Sequence, residues 1–400
     1  MSSAGPLLTF PDALAARDRR LDPFDWYADR RAESPLHWDA DRGCWDVFSY
    51  REVKRLLGDD ESFSVDPREA AGFEPQGDTA FLLETMLFQD PPKHDRTRDV
   101  VDEFFRPSAV KSLEPFIAEE SRRLVEEALA ESDDGVIDVI DALAYPLPVI
   151  VIAKMLGVPA EDRDQFKQWS DTIVEGTAGE EEADAADLQQ RQMEAGMALA
   201  NYFRDLVADR KENPQDDLVT RIVEADADLT ETEILGFCML LLIAGNITTT
   251  NLIGNAVRIF GEEAYWPGAG ERETAIEEVL RYRAPVQSMT RVAREDLTID
   301  GKQVEAGDTL VCWLGAGNRD GAQFADPDTF VPDRRPNQHL GFGYGTHYCL
   351  GAPLARLEAS VAIRELGAAY EVTPAWGDDD LDPIDSSFLH GVQSLPVRLD

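Results

Sequence analysis

Cys349 lies in the stretch Phe342–Gly351, FGYGTHYCLG, with Gly343, Gly345 and Gly351 close around it. Glycine permits positive φ and lets backbone approach a ligand closely. A loop of this kind can aim backbone N–H groups at the sulfur. Such donors are expected to lower the thiol pKa and hold a thiolate. A helix is predicted to start at Ala352-Pro353, with proline near its first position. Its positive end would further favour an anion. The chemistry open to such a thiolate is metal ligation. The alternative is a glycine-rich turn around a buried, inert cysteine.

Three other groups of residues could take part in chemistry. In Ala244–Thr250, AGNITTT, glycine and β-branched threonine are poor helix formers. The Thr248 hydroxyl is placed to bond the carbonyl of Ala244, four residues back. Glu278 and Arg281 are three apart and share one helical face. Basic residues are scarce, so their clustering matters: Lys93, His94, Arg96, Arg98, Arg106 and Lys111 fall in one stretch. His94 and Arg98 are four apart and stack on one face. Helix packing is the alternative for the Ala244–Thr250 segment, and ordinary surface solvation for the charged residues.

The elements that must position these groups are mostly helical. Apolar periodicity predicts helices over Glu114–Glu131, Leu188–Lys211, Thr230–Phe260 and Glu271–Tyr282. Thr230 and Glu233 form a capping-box signature, and the helix they open is apolar all round, as a buried central helix must be. Strand-like pieces are short: Cys44–Phe48, and Arg291 through Leu297–Ile299 to Thr309–Leu314. Hairpin-like turns are expected at Asp300-Gly301 and Gly307-Asp308. Residues 176–187, GTAGEEEADAAD, read as a loop, with a solvated helix face as the alternative. The expected fold class is mainly α with a small, mostly antiparallel β region. No repeat or linker divides the chain, so residues 1–400 are expected to form a single domain.

Composition narrows the function classes. The chain carries 78 acidic against 38 basic residues, a net charge of -40. That opposes contact with nucleic-acid phosphates and with anionic membranes. It fits either a soluble protein with a charged surface or one built for a very salty cytoplasm. At about 1 M salt the Debye length falls to ~3 Å and self-repulsion is screened. Cys44, Cys238, Cys312 and Cys349 are widely spaced, which disfavours a disulfide framework or a zinc site. The N-terminal stretch does not read as a signal peptide. The longest apolar run, Ile234–Gly245, is short for a membrane span. A soluble, cytoplasmic protein is expected.

The spacing Phe-Gly-x-Gly-x-His-x-Cys-x-Gly resembles the haem loop of the cytochrome P-450 family, and the resemblance extends over nearly the whole chain. It implies that fold, with haem b held between the central helix and the cysteine loop. Cys349 would ligate the iron, as the family's thiolate does, with Phe342 packed near the sulfur. His94, Arg98, Arg291 and His347 would hold the haem propionates. His339 is open between packing and haem contact. Ala244 and Gly245 would line the oxygen groove, with Thr248 bonding bound oxygen or a proton-delivering water. The family's acidic residue in that groove is here Ile247, a departure that leaves proton delivery to Asn246, Thr249, waters or substrate.

The resemblance also gives structural roles to Glu278 and Arg281. Arg334 is the candidate third member, since Thr329 stands where many relatives carry arginine. Asn318-Arg319-Asp320 matches a family turn. Substrate contacts are implied at Phe81, Phe88, Leu240, Val286, Met289 and Phe388. The function implied is monooxygenation of a hydrophobic small molecule by a monomer with a separate ferredoxin-type electron donor. It would dock on the Cys349 face, near the less acidic Lys93–Lys111 stretch. Alternatives are a peroxide-dependent oxygenase, a non-catalytic haem sensor, or a haem-free structural protein. The stretch between the central helix and Glu278 is shorter than usual for the family.

Overall fold

A computed structural model describes residues 9–73, 83–174, 182–225, 229–377 and 380–400. Its axis is the helix Glu231–Glu262, 32 residues long. The sequence explains its start: the Thr230 hydroxyl accepts from the Glu233 N–H, and the Glu233 carboxylate accepts from the Thr230 N–H. This closes both ends of a capping box. On length and composition the helix could cross a bilayer, a longer apolar element than the run Ile234–Gly245 suggests. However, 61% of its most apolar window is buried inside the protein. It is the core helix of this fold.

Around it pack the helices Glu114–Glu131, Pro146–Leu156 and Ala352–Ala369, which share one large apolar core with it. Gly245 allows one of these approaches: a Cβ there would lie 3.3 Å from the Ile152 side chain. The predicted helix over Glu114–Glu131 has those bounds. The predicted Glu271–Tyr282 is observed as Arg272–Tyr282, and Leu188–Lys211 as the longer Glu182–Glu212. Residues 182–187, expected in a loop, therefore open a helix, while 175–181 lie outside the described residues.

The β region is small. Five strands run in the order Leu36–Asp39, Cys44–Val47, Thr309–Trp313, Ser288–Ala293, Phe63–Ser64. Three of the pairings are antiparallel, but Cys44–Val47 and Thr309–Trp313 pair in parallel. The expected hairpin at Asp300-Gly301 forms between Leu297–Ile299 and Lys302–Val304. Both turn residues have positive φ, 46° and 75°, as a type I′ turn requires. Gly307-Asp308 does not make a hairpin. The strand after it pairs with Ser288–Ala293 and Cys44–Val47 rather than with the strand before it. A second sheet of Val136–Asp138, Pro396–Leu399 and Val372–Pro374 was not legible in the sequence. Each of these strands has only 3 or 4 residues, and their partners are far apart in the chain.

Candidate functional site

The cysteine loop is held from every side. Gly343 and Gly345 adopt φ of 74° and 80°, conformations that cost a side-chain-bearing residue. Gly345 also presses on the end of the helix Tyr50–Gly58, where a Cβ would meet the Leu57 carbonyl oxygen at 2.7 Å. The Cys349 N–H donates to the Phe342 carbonyl at 3.0 Å. Arg98 donates to the carbonyls of Tyr348 (2.8 Å) and Thr346 (3.3 Å). The helix Ala352–Ala369 follows at once, with proline in its first turn.

The Cys349 side chain is exposed by surface accessibility, yet its sulfur is crowded by protein. Burial pushes its thiol pKa up, against the N–H groups of Gly351 and Ala352 and the cations Arg98 and Arg356, which pull it down. The backbone donors pull the thiol pKa down as expected, but they do not set its net direction. Desolvation outweighs them, and a thiolate there calls for a cation at the sulfur itself. A coordinating thiol is deprotonated by its metal.

The sequence-predicted cations converge beside this loop. The His94 and His347 rings lie 4.3 Å apart. Burial, then His94 and Arg291, push the His347 pKa down to about 3, with Arg98 adding to the effect. Its Nε2 is buried without a hydrogen-bond partner among the described residues. Arg291 is only 3% exposed, and its guanidinium donates to the carbonyls of Thr290 and Leu57. Among the described residues Arg98 and Arg291 thus bond carbonyls, not carboxylates, in a protein with a twofold excess of acid. A buried cation such as Arg291 needs an anion. The donors fit a ligand that carries carboxylates, and the cysteine fits a metal at its centre. Lys93 and Arg96 are spent elsewhere, on Glu84 and Glu233. His339 Nε2 bonds Glu277 at 3.0 Å.

The supporting pair is far from the surface couple that spacing alone suggests. Glu278 and Arg281 both have fully buried side chains and meet at 2.7 and 2.8 Å. Glu278 also accepts from Arg334 (3.0 Å), Asn337 (3.1 Å) and the Val331 N–H (2.9 Å). Arg281 reaches the carbonyls of Asn318, Pro327 and Thr329. Arg334 therefore occupies the third position expected for it.

On the opposite side the central helix opens. Ala244 is exposed and Ile243, Gly245, Ile247 and Thr248 are half-buried, in the middle of a helix otherwise largely buried. The Thr248 hydroxyl donates to the Ala244 carbonyl at 2.7 Å. The amide Nδ2 atoms of Asn246 and Asn251 are buried without partners among the described residues. Leu240 lies one turn earlier and is buried. Val286 bridges to Leu389, and the Phe388 carbonyl accepts from the Gln287 N–H. A Cβ at Gly343 would lie 3.8 Å from the Met289 sulfur, so the strand and the cysteine loop touch. Phe88 is half-buried just before the helix Lys93–Val101. Phe81 lies outside the described residues.

Sequence reasoning passed over Glu277 and Arg356. Arg356 bonds Glu277 through Nε (2.5 Å) and NH2 (3.0 Å) and lies 4.5 Å from the centre of the Phe342 ring. Its position one turn into the helix after Cys349 was a signal. Its partner, on a helix far back in the chain, was not.

The Cytochrome P450 family model matches residues 24–257 and 273–399. The interruption falls in the stretch expected to be short. Cytochrome P450 109 of Bacillus spizizenii is 41% identical over 397 residues, covering 97% of this chain and 94% of that one. The erythromycin C-12 hydroxylase of Saccharopolyspora erythraea is 36% identical, covering 93% of each. Substrate-free CYP109E1 of Bacillus megaterium superposes with a TM-score of 0.86 at 41% identity, covering 95% of this chain and 99% of its own. The same protein, solved with testosterone, gives 0.82 at 40%, covering 96% and 99%. With the loop, the cations and the buried Glu278–Arg281 pair assembled in this fold, the chain belongs to the cytochrome P450 family and is a haem b-dependent monooxygenase.

Proposed function

We propose that this protein inserts one oxygen atom from O2 into a hydrophobic small molecule, taking electrons from a separate ferredoxin-type donor. The observation that carries the reading is the convergence of His94, Arg98, Arg291 and His347 beside the loop that holds Cys349. Cys349 would be the iron ligand, and the four cationic or imidazole side chains would hold the propionates. When bound, the haem supplies oxygen activation, with a thiolate that favours O–O cleavage.

Thr248 orients a proton at the oxygen side. Its hydroxyl, now bonded to the Ala244 carbonyl, could rotate to donate to or accept from a water held beside it. Ala244 and Gly245 leave room beside it. Ile247 supplies no proton, so Asn246 and Asn251, with free amide donors, would order the water that does. Substrate would lie over Leu240, Val286, Met289 and Phe388, with Phe88 closing the far side. Such a lining suits a terpenoid, fatty acid or polyketide. The likeness to a protein solved with testosterone makes steroids the first compounds to test. A single catalytic domain, a monomer and a cytoplasmic location complete the reading.

The test is optical and chemical. The reduced, CO-bound protein should show the red-shifted Soret band of thiolate ligation. Testosterone or a fatty acid should shift the Soret band on binding, and O2 with a ferredoxin system should give hydroxylated product. Ile247 favours one second reading, a peroxide-dependent oxygenase. Turnover with peroxide but none with O2 and a donor would establish that instead. Ile247→Asp should then gain O2-driven turnover.

A further inference from the structure

The potential at Cys349 has a candidate control that the reaction itself does not use. Arg356 stands on the helix Ala352–Ala369 with its guanidinium 4.5 Å from the centre of the Phe342 ring, within cation–π range. Phe342 in turn accepts the Cys349 N–H through its carbonyl. Arg356 NH1 reaches the Tyr348 hydroxyl at 3.1 Å. Two of its nitrogens fork onto Glu277, at 2.5 and 3.0 Å. Glu277 is braced from behind by His339 Nε2 at 3.0 Å. His339 Nδ1 accepts the Gly341 N–H at 3.1 Å, which leaves the proton on Nε2 to be donated to Glu277. Burial alone would raise the Glu277 pKa, but the bonds from His339 and Arg356 outweigh it and hold the carboxyl at about 2. The pair is therefore a fixed plus and a fixed minus, the plus nearer the cysteine loop. Its two members are each about one-third exposed, at 32% and 31%.

We propose that the Glu277–Arg356 ion pair, seated on the Phe342 ring beside Cys349, sets the reduction potential of the bound iron. The inference rests on haem ligation by Cys349. One electron from an external donor lowers the net charge at the iron–thiolate by one, with no bond made or broken. A nearby cation favours that reduced state and a nearby anion opposes it. With both present the effects largely offset. Removing either partner exposes the field of the other, so the two single variants must shift the potential in opposite directions. Both residues act through the field and through Phe342, as positioning residues.

The experiment is spectroelectrochemical titration of the haem-loaded full chain. Arg356→Gln should lower the potential and Glu277→Gln should raise it. Each shift should be on the order of a tenfold change in the ferrous-to-ferric ratio at fixed potential, about 59 mV for one electron. Arg356→Lys should stay near the parent, and the double variant should return toward it. Shifts of the same sign in both single variants, or none in either, overturn the proposal, because loosened packing under Phe342 would move both alike. If Arg356→Gln fails to load haem, Glu277→Gln and Arg356→Lys still decide: an unmoved or lowered potential in Glu277→Gln refutes it. Loss of the red-shifted CO band in the parent protein would instead refute ligation by Cys349, a distinguishable failure.

Discussion

The two faces of the candidate site are built on different principles. On the thiolate side nearly every polar group is tied to a fixed protein partner: Glu278 alone meets Arg281, Arg334, Asn337 and the Val331 N–H. Along the middle of the central helix the Nδ2 atoms of Asn246 and Asn251 have no partner among the described residues, and Ile247 brings no ionisable group. Buried polar groups without protein partners are the usual stations of ordered water. The difference teaches that the metal ligand needs an immobile frame, whereas oxygen and protons need partners that can move. Mutations on the first face should therefore cost structure, and those on the second should cost chemistry alone.

The sharpest break in that contrast is Cys349→Ser. It should abolish the red-shifted Soret band of the reduced CO complex entirely, read by absorbance. Next comes Arg281→Ala, which takes one of two guanidinium partners from the buried Glu278 carboxylate and leaves the carbonyls of Asn318, Pro327 and Thr329 without their donor. Breaking a buried pair from one side costs ~3–5 kcal/mol, so denaturant unfolding should shift by that order and haem content should fall. Thr248→Ala should leave stability and the CO band intact. Product formed per electron consumed should fall by about 10²-fold, the lower range for a lost proton-transfer group.

The thiolate side has exceptions, His347 Nε2 among them, and another, Glu358, gives the pH dependence. Glu358, on the helix after Cys349, is 1% exposed with Oε2 unpartnered among the described residues. Burial raises its pKa to about 8. A carboxyl protonated in the folded state and ionised in the unfolded one destabilises the fold as pH rises from about 4.5 to about 8. Stability should decline by about 1.4 kcal/mol per pH unit across that window from this group. Glu358→Gln should flatten the decline, measured by denaturation at several pH values. The smallest expected effect is that of salt. With a net charge of -40, melting temperature should rise between dilute buffer and molar salt as repulsion is screened. An unchanged melting temperature would count against a salt-adapted surface.

Much of this was legible along the chain. The Thr230–Glu233 capping box, the apolar central helix, the Asp300-Gly301 turn and the glycine-set cysteine loop rest on local chemistry, between residues within a few positions of one another. Helical periodicity placed Glu278 and Arg281 on one face for the same reason. What the sequence withheld was whatever depends on burial and on distant partners. The Glu278–Arg281 pair reads as a surface couple until Arg334, Asn337 and the Val331 N–H enclose it. The second sheet joins a short strand at Val136–Asp138 to two near the C-terminus, Val372–Pro374 and Pro396–Leu399. The Cys349 thiol pKa has its donors written nearby, but its direction is decided by desolvation, which no linear pattern records. Spacing determined which residues could do chemistry. Only the tertiary structure decided which charges meet, because electrostatic and solvation energies depend on separation in space and on exclusion of water, not on order in the chain.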